Sequence, residues 1–550
     1  VQRRRSTYSS HSFIIIYMPR EGFQSIESFS NIPERTQEVR RVIPSAQEYI
    51  AILQKAGLET HEKAFENVLA ICEAVKKEGG RALLVGGSVR DMVLQRISKD
   101  FDIEIYGLSP QKIEKIVATF GKVNEVGKAF GILKLSLDGI ELDISLPRVD
   151  SKIAPGAKGF AAKGDPHMSI KDAARRRDFT MNALAADPLT GELFDYFGGV
   201  EDLRHRRLRI TDPERFVEDP SRALRAMQFI GRLGLFVDPE TVRIIQKVIP
   251  HLKELPAERI KGEWYKLLAK SEKPSVGLAA GMALGILREL HPEFPPLIET
   301  PQEQEWHPEG DVWIHTLMAV DEAVRICKRE GLGSEKTFLI VLATLCHDLG
   351  KALVTEYKDG RWKSHGHDVA GEEPTKKFLL SLGIEGVLRD KVVKLVANHL
   401  TPSMFYIDET LRGITVSDGA IRRLAQRIHP ATIQELTLVA EADHMGRGPF
   451  VDPEIPEQLL MPRDYFAGAW FVERARELGV EKSIPTDIIR GKDLITFGHT
   501  PGKNFWVVIH LANDLRDRKM TREEILREIY GRSMEDMIPH LQSLVHSRKE

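Results

Sequence analysis

Two carboxylates stand where a core strand is expected. In "KDFDIEIYG", residues 99–107, Asp100, Asp102 and Glu104 alternate with Phe101, Ile103 and Ile105. On a strand that alternation puts the acids on one face and the apolar side chains on the other. Like charges about 6–7 Å apart on one face repel unless a cation lies between them. Oxygen ligands alone favour magnesium shared with substrate phosphates. Upstream, Gly86-Gly87 separates the apolar "RALLV" from the helical "SVRDMVLQRI". A glycine pair at a strand-to-helix turn lets backbone N–H groups approach a phosphate, and Arg90, one turn on, reaches the same anion. In "GILKLSLDGIELDISLPR" the alternation predicts a hairpin turning at Asp138-Gly139. Its polar face carries Asp143 beside Glu141 and Ser145, placing a third carboxylate near the same metals.

A second set of side chains begins near residue 304. "HPEGDVWIHTLM", "LATLCHDLGK", "SHGHDVAG", "VANHL" and "EADHMGR" follow in order. His347-Asp348 closes an apolar helix, and His315, His367, His399 and Asp443 each fall on or beside another helical segment. A helical bundle can turn all of them inward onto one or two metals. Mixed imidazole and carboxylate ligands suit a transition metal such as nickel or manganese better than magnesium. His307 and His365 are weaker candidates. Any one of these histidines alone reads as a surface or capped residue; the ordered set carries the inference.

A third stretch, "EDPSRALRAMQ", is predicted helical, with Asp219, Arg222, Arg225 and Gln228 near one face. An Asp accepts from an exocyclic amine and an Arg donates to a ring acceptor. Cytosine and adenine both present that pattern, whereas uracil and guanine present a carbonyl. Such a pair would admit C and A and reject U and G; a salt-bridged surface helix is the plainer alternative. Arg204, Arg206, Arg207, Arg209, Arg215, Arg222, Arg225 and Arg232 form a local basic patch suited to RNA phosphates in a chain whose net charge is only −2.

The elements that must hold these residues follow from the pattern. The chain has 550 residues, 42% hydrophobic and 29% charged, enough for several soluble domains. Residues 1–45 are polar and aperiodic, a disordered leader in which Met18 is a candidate start. Residues 45–77 are helical, and strands and helices alternate from about 80 to 195 as one small α/β unit. "SKIAPGAKGFAAKGDPHMSIK" (151–171) reads as a mobile loop. After Tyr196 the pattern is helical, with breaks near 295–303, 448–462 and 484–485. The apolar runs at 12–18 and 338–346 are too short to span a bilayer, so no membrane partner is expected. Three scattered cysteines without CxxC spacing fit a reducing cytoplasm. Nothing in the sequence signals oligomeric state.

"GGSVRDMVLQRISKDFDIEIYG", "RRRDFTMNALAADPLTGELFDYFGGVEDLRHRRLRI" and "DPERFVEDPSRALRAMQFIGRLG" resemble the class II tRNA nucleotidyltransferase and bacterial poly(A) polymerase family. The resemblance implies that Asp100 and Asp102 hold catalytic magnesium ions and that Asp143 is the third carboxylate. It implies triphosphate contacts from Gly86, Gly87 and Arg90, and sugar and phosphate contacts from Arg177 and Asp178. Base selection falls to Asp219 and Arg222, beside Arg225. Many relatives carry Arg where this chain has Gln228. The histidine set, with "CHDLGK" at its centre, resembles the HD phosphohydrolase superfamily. That implies a metal on His315, His347, Asp348 and Asp443, a second on His367 and His399, and a phosphate contact from Lys351. A nucleotidyltransferase head joined to an HD domain is similar to the multifunctional CCA-adding proteins, whose HD part hydrolyses phosphomonoesters and 2′,3′-cyclic phosphates. The C-terminal "IIRGKDLITFGHTPGKNFWVVIHLANDLRDRKMTREEILREI" is similar to the tRNA-holding tails of that family.

The expected fold is therefore α+β. A polymerase-beta-like head with its preceding helices spans 46–195, a helical neck and RNA-binding body 196–300, an all-α HD domain 301–450 and a helical tail 451–550. The expected partners are a tRNA 3′ end with its acceptor stem, ATP and CTP. A poly(A) polymerase, an A-only or CC-only enzyme and a protein-uridylylating enzyme are the alternatives. The last predicts ferredoxin-like repeats in a tail that reads as helical.

Overall fold

The computed structural model describes residues 43–98, 100–124, 132–137, 140–152, 160–448 and 464–548. Most of the leader, the Asp138-Gly139 turn, the middle of the 151–171 loop and most of the break after Gly448 lie outside the described residues. The chain forms two compact units, one of residues 1–267 with 276–291, the other of 268–275 with 292–550.

The first unit is built on a seven-stranded mixed sheet. Its strands are β1 (Arg81–Val85), β2 (Phe101–Tyr106), β3 (Lys122–Asn124), β4 (Ile132–Leu137), β5 (Ile140–Ser145), β8 (Ala185–Ala186) and β9 (Leu193–Phe194). The spatial order is β3-β4-β5-β2-β1-β8-β9. All neighbours are antiparallel except β2 and β5, which run parallel with Asp102 opposite Asp143. The apolar face of β2 is the expected core: Phe101, Ile103 and Ile105 are fully buried. Phe101 meets Phe65, and Phe65 meets Tyr49, at ring-centroid distances of 5.5 and 4.8 Å. Tyr49 and Phe65 lie on helices Ala46–Lys55 and Glu59–Lys77, so the segment preceding the sheet is part of its core. Gly57, at φ +67°, divides what the pattern suggested as one helical stretch. The helix Pro110–Val117 begins as expected, with Ser109 Oγ accepting from Lys112 N–H and Pro110 in its first turn.

Two expectations fail here. The helix after Gly86-Gly87 is only Gly87–Val93, because Gln95 adopts φ +54° and turns the chain out. The presumed loop contains a second ladder, β6 (Arg148–Lys152) paired antiparallel with β7 (Phe160–Gly164), followed by a Ser169-capped helix, Ile170–Arg175. Gly and Ala in that stretch suggested freedom, but backbone pairing does not require large side chains.

Helices from Gly199 to Leu290 complete this unit. Helix Ser221–Leu233 meets helices Ala257–Lys270 and Pro274–Leu284 closely. A Cβ on Gly231 would lie 2.5 Å from Leu267 Cδ1, and one on Gly277 2.7 Å from the Met227 carbonyl.

The second unit is helical. Val312–Arg329, Ser334–Cys346, Gly386–Val396 and Ile433–Met445 form its bundle. A short hairpin, Glu356–Lys358 with Arg361–Lys363, projects beside it. The continuous stretch Ser334–Val354 is long and apolar enough to cross a membrane, more than the 338–346 run suggested, but 83% of an apolar 18-residue segment within it is buried in protein. It is the bundle's core. Helices Phe466–Glu477, Gly491–Thr496, Lys503–Asp517, Arg522–Ile529 and Met534–Ser547 follow. From Ile489 onward they enclose a separate core containing Leu511, Leu515 and Ile525.

Candidate functional sites

In the first unit a cleft of about 720 Å³ collects Gly86, Gly87, Arg90, Asp102, Arg177, Asp178, Asp219, Arg222 and Arg225. Asp102 is its carboxylate centre. Burial raises its pKa; Arg177 opposes this, while Asp143, Asp100 and Glu104 raise it further. Asp143 is the register neighbour of Asp102 on β5, with Lys134 Nζ 3.5 Å away. Asp100 is exposed just ahead of β2, and neither it nor Asp143 lines the cleft. Glu104, the third acid of the alternation, is drawn inward. It accepts from Tyr106 Oη at 2.6 Å and stands 3.8 Å from Arg177 Nη2. Of these acids Asp102 and Glu104 line the cleft; among the described residues the acidic neighbours of Asp102 do not close with it into a metal-sized cluster.

The glycine pair works differently from expectation. Gly86 N–H donates to the Leu184 carbonyl, so it is not available to a phosphate, and the two-turn helix behind it is short. The need for glycine is steric. Gly86 has φ +72°, and a Cβ there would lie 2.6 Å from Arg177 Nη1. The bare backbone is what lets the Arg177 guanidinium sit beside Asp102. Arg90 is buried and held, donating from Nη1 to Asn182 Oδ1 at 2.9 Å and from Nη2 to Asp91 Oδ1 at 2.7 Å.

The pair expected to select the base also departs from the simple picture. Asp219 lies in the turn before helix Ser221–Leu233, accepting from Ser221 N–H and Oγ. Its ion partner is Arg259, at 2.9 Å, from the helix Ala257–Lys270. Burial pushes the Asp219 pKa up, but Ser221 and Arg259 outweigh it and hold the carboxylate ionised. Arg222 donates to the carbonyls of Arg215 and Arg176, at 2.8 and 2.7 Å. Asp219 and Arg222 are thus each fixed by a third party rather than by one another. Asp178 is buried, accepting from Arg225 Nε at 2.6 Å and Asn182 Nδ2 at 3.0 Å. Burial raises its pKa; Arg225 and Asn182 more than reverse that.

Part of the predicted basic patch is engaged in ion pairs. Arg207 and Arg209 pair with buried Asp202, Arg204 with Glu201, and Arg215 with Glu218. The cations on the cleft come from several elements: Arg222, Arg225 and Arg232 belong to the predicted patch, and Arg148, Arg176, Arg259 and Lys266 lie outside it. No local motif announced Arg259; Asn182 sits four residues beyond Asp178 and was within reach of a helical-spacing argument.

In the second unit the histidine set converges. His315, His347, Asp348 and His399 are essentially fully buried, with His367 and Asp443 nearly so. His315 Nε2 lies 3.3 Å from His347 Nε2, 3.1 Å from Asp443 Oδ1 and 3.7 Å from Asp348 Oδ2. His347 Nε2 is 3.2 Å from Asp348 Oδ2, and His367 Nε2 is 3.3 Å from Asp348 Oδ1. Ligand atoms therefore cluster as His315, His347 and Asp348, as His347, His399 and Asp443, and as Asp348, His367 and His399.

Each imidazole is oriented from behind. His347 Nδ1 meets the Thr344 carbonyl, His367 Nδ1 that of Ser364 and His399 Nδ1 that of Val396, all within 2.7 Å. His315 Nδ1 meets Glu309 Oε1 at 2.8 Å. With Nδ1–H donating, each Nε2 lone pair points to the centre, the arrangement metal-binding histidines adopt. The Nε2 atom of His399 is buried without a hydrogen-bond partner. Burial pushes His399 down to about 3, which keeps its lone pair free. Imidazoles set beside ionised Asp348 and Asp443 fit a transition metal.

Glu309 was not singled out in the sequence although it lies within "HPEGDVWIHTLM". It takes His307 Nδ1 and His315 Nδ1 on Oε1 and Gly448 N–H on Oε2. Burial favours its neutral form, and these three bonds overcome that. Lys351 is buried with Nζ 2.7 Å from Asp348 Oδ2 and 2.8 Å from Gln302 Oε1. His307 and His365 line the open side of the same cleft, which has a volume of about 510 Å³.

Comparison with known proteins agrees with this division. Residues 82–209 match the Poly A polymerase head domain, 234–297 the probable RNA and SrmB-binding site of polymerase A, and 312–446 the HD domain. A multifunctional CCA protein of Stenotrophomonas maltophilia is 35% identical over 386 residues, 69% of this chain and 89% of the relative. That of Actinobacillus pleuropneumoniae is 32% identical over 73% and 92%. Among solved structures, an apo CCA-adding enzyme superposes with a TM-score of 0.55 at 20% identity, over 84% of this chain and 93% of the other. The Bacillus stearothermophilus CCA-adding enzyme in complex with CTP gives 0.54 at 21%, over 88% and 98%; these likenesses concern the fold. With a nucleotidyltransferase head, an α+β architecture and an HD domain in one chain, this enzyme belongs to the family of multifunctional CCA proteins.

Proposed function

We propose that the protein adds CMP and AMP from CTP and ATP to the 3′ end of a tRNA lacking its CCA terminus. The observation that carries this is the composition of the first cleft, where the Asp102 carboxylate, the Arg177–Asp178 pair and the Asp219/Arg222 edge share one volume. Asp102, with Asp143 and Asp100 near it, would hold two magnesium ions, whose chemistry is to neutralise the triphosphate and acidify the attacking 3′-hydroxyl. Arg90, Arg177 and Arg225 bind and orient the nucleotide's anionic part beside Gly86 and Gly87. Asp219, held ionised by Ser221 and Arg259, accepts from an exocyclic amine. Arg222, braced on two carbonyls, donates to the adjacent ring acceptor. Fixed donors and acceptors reject a base whose edge carries a carbonyl, because buried groups would be left unpaired.

The second cleft is assigned as a metal-dependent phosphohydrolase site. His315, His347, Asp348 and Asp443 would hold one ion, and His367 and His399, with Asp348 shared, a second, of manganese or nickel type. A bound ion of this kind supplies Lewis acidity and an ionised water. Lys351 fixes Asp348, and Glu309 fixes His315. We assign the head to 46–195, the neck and body to 196–300, the HD domain to 301–450 and the tail to 451–550. The working compartment is the cytoplasm, supported by three buried free cysteines.

The deciding experiment supplies a tRNA without its 3′ CCA with labelled CTP and ATP, separately and together. Three added nucleotides support the reading. A long adenylate ladder would make the protein a poly(A) polymerase, and addition of A or CC alone would make it a partial enzyme.

A further inference from the structure

Two partly exposed tryptophans line the His/Asp cleft. Trp306 is 55% exposed and Trp362 is 39% exposed, and both line the cavity whose floor holds Asp348, His367 and His399. They come from different places. Trp306 follows Glu303 in the chain entering the first bundle helix. Trp362 lies on the short hairpin and is backed by Tyr357, ring centroids 5.0 Å apart. The hairpin is tied to the Trp306 segment at two points: Trp362 N–H donates to Glu303 Oε2 at 3.1 Å, and Arg361 Nη1 meets Glu305 Oε2 at 3.1 Å. The two rings are therefore held in one assembly on the rim rather than on independent loops.

We propose that Trp306 and Trp362 form a base-stacking rim that makes this centre selective for phosphoesters carrying a nucleobase. This rests on the hydrolase reading above. A cavity of about 510 Å³ is of mononucleotide size. Its polarity runs in the required direction, from buried metal-type ligands at the floor to exposed aromatic faces at the mouth. A phosphate at the floor leaves its sugar and base extending to the rim, where stacking on an indole tolerates any base because every base has a π-face. Base-free phosphoesters reach the floor but gain nothing at the mouth.

The test compares wild type with Trp306→Leu, Trp362→Leu and the double variant, using the full chain with manganese. Hydrolysis of 2′,3′-cyclic AMP is measured beside that of glycerol 2-phosphate. A rise in KM of roughly tenfold for the cyclic nucleotide, with kcat held and the glycerol ester unaffected, is expected. An equal loss on both substrates, or no change on either, overturns the rim. Quenching of tryptophan emission by adenosine 2′-monophosphate, against ribose 5-phosphate, is read on the same proteins. The component lost in the double variant must be specific to the base-bearing ligand. If wild type hydrolyses neither ester, the hydrolase reading fails while this binding arm still decides the rim: a base-specific component supports it, and its absence ends it.

Discussion

At the residue scale, a charged group at either site is useful only because another residue fixes it. Ser221 holds only Oδ1 of Asp219, and Arg259 adds a bidentate grip on both oxygens at 3.3 and 2.9 Å. Arg259→Leu is expected to relax base choice, raising UMP incorporation relative to CMP about tenfold or more. Its effect on stability should be small, on the order of 0.5 kcal/mol, since the pair is partly exposed; competition assays and denaturant melts measure the two. His291 makes a different prediction. It accepts from Trp264 Nε1 at 3.1 Å, and burial pushes its pKa from 6.5 down to about 3. The folded state thus holds it neutral while the unfolded chain protonates it below 6.5. Its contribution is complete above that pH and is lost as pH falls from 6.5 towards 3. Between pH 6.5 and 5 the loss should be about 2 kcal/mol. His291→Gln, which keeps an acceptor but does not titrate, should flatten that slope in melts followed by Trp264 emission.

At the scale of elements, turns rather than helices decide where the chemistry sits. Gly86→Ala would force a side chain into φ +72° and against Arg177. It is expected to cost about 1–2 kcal/mol of stability and, by displacing Arg177, to lower nucleotide incorporation more than the destabilisation alone explains. Gly350 is the counterpart in the bundle. A Cβ there would collide with the His367 carbonyl and lie 2.6 Å from Gly371 N. Gly350→Ala should push the His367–Ala370 helix away from Asp348. The expected outcome is the loss of one bound metal ion per chain relative to the unsubstituted protein, measured by elemental analysis after manganese loading. The alternation in "KDFDIEIYG" was legible because a strand's period is a local property. The short helix after Gly87 and the ladder inside the 151–171 segment were not, since a positive-φ Gln95 and a pairing partner are set outside the local pattern.

For the whole molecule, each site is built from residues of a single compact unit. The two activities should therefore separate. Asp102→Asn should reduce nucleotide incorporation by about 10³-fold or more and leave phosphoester hydrolysis intact, and His347→Ala should do the reverse; both are read by assaying the two reactions on one preparation.

The sequence by itself determined the residue types, their order and the local periods. Those sufficed for the strand face of Asp102, the Ser109 cap and the ordered histidine set, because spacing along one element is enough to assign a face. Tertiary structure alone decided the partnerships. Asp143 became the neighbour of Asp102 through a parallel pairing across 41 positions. Asp219 was given to Arg259 rather than Arg222, the expected arginine patch was divided between the cleft, with Arg222, Arg225 and Arg232, and ion pairs to Asp202, Glu201 and Glu218, and Glu309 was set behind His315. The physical reason is that an ion pair or hydrogen bond depends on a few ångströms of distance between elements, a quantity no local period contains.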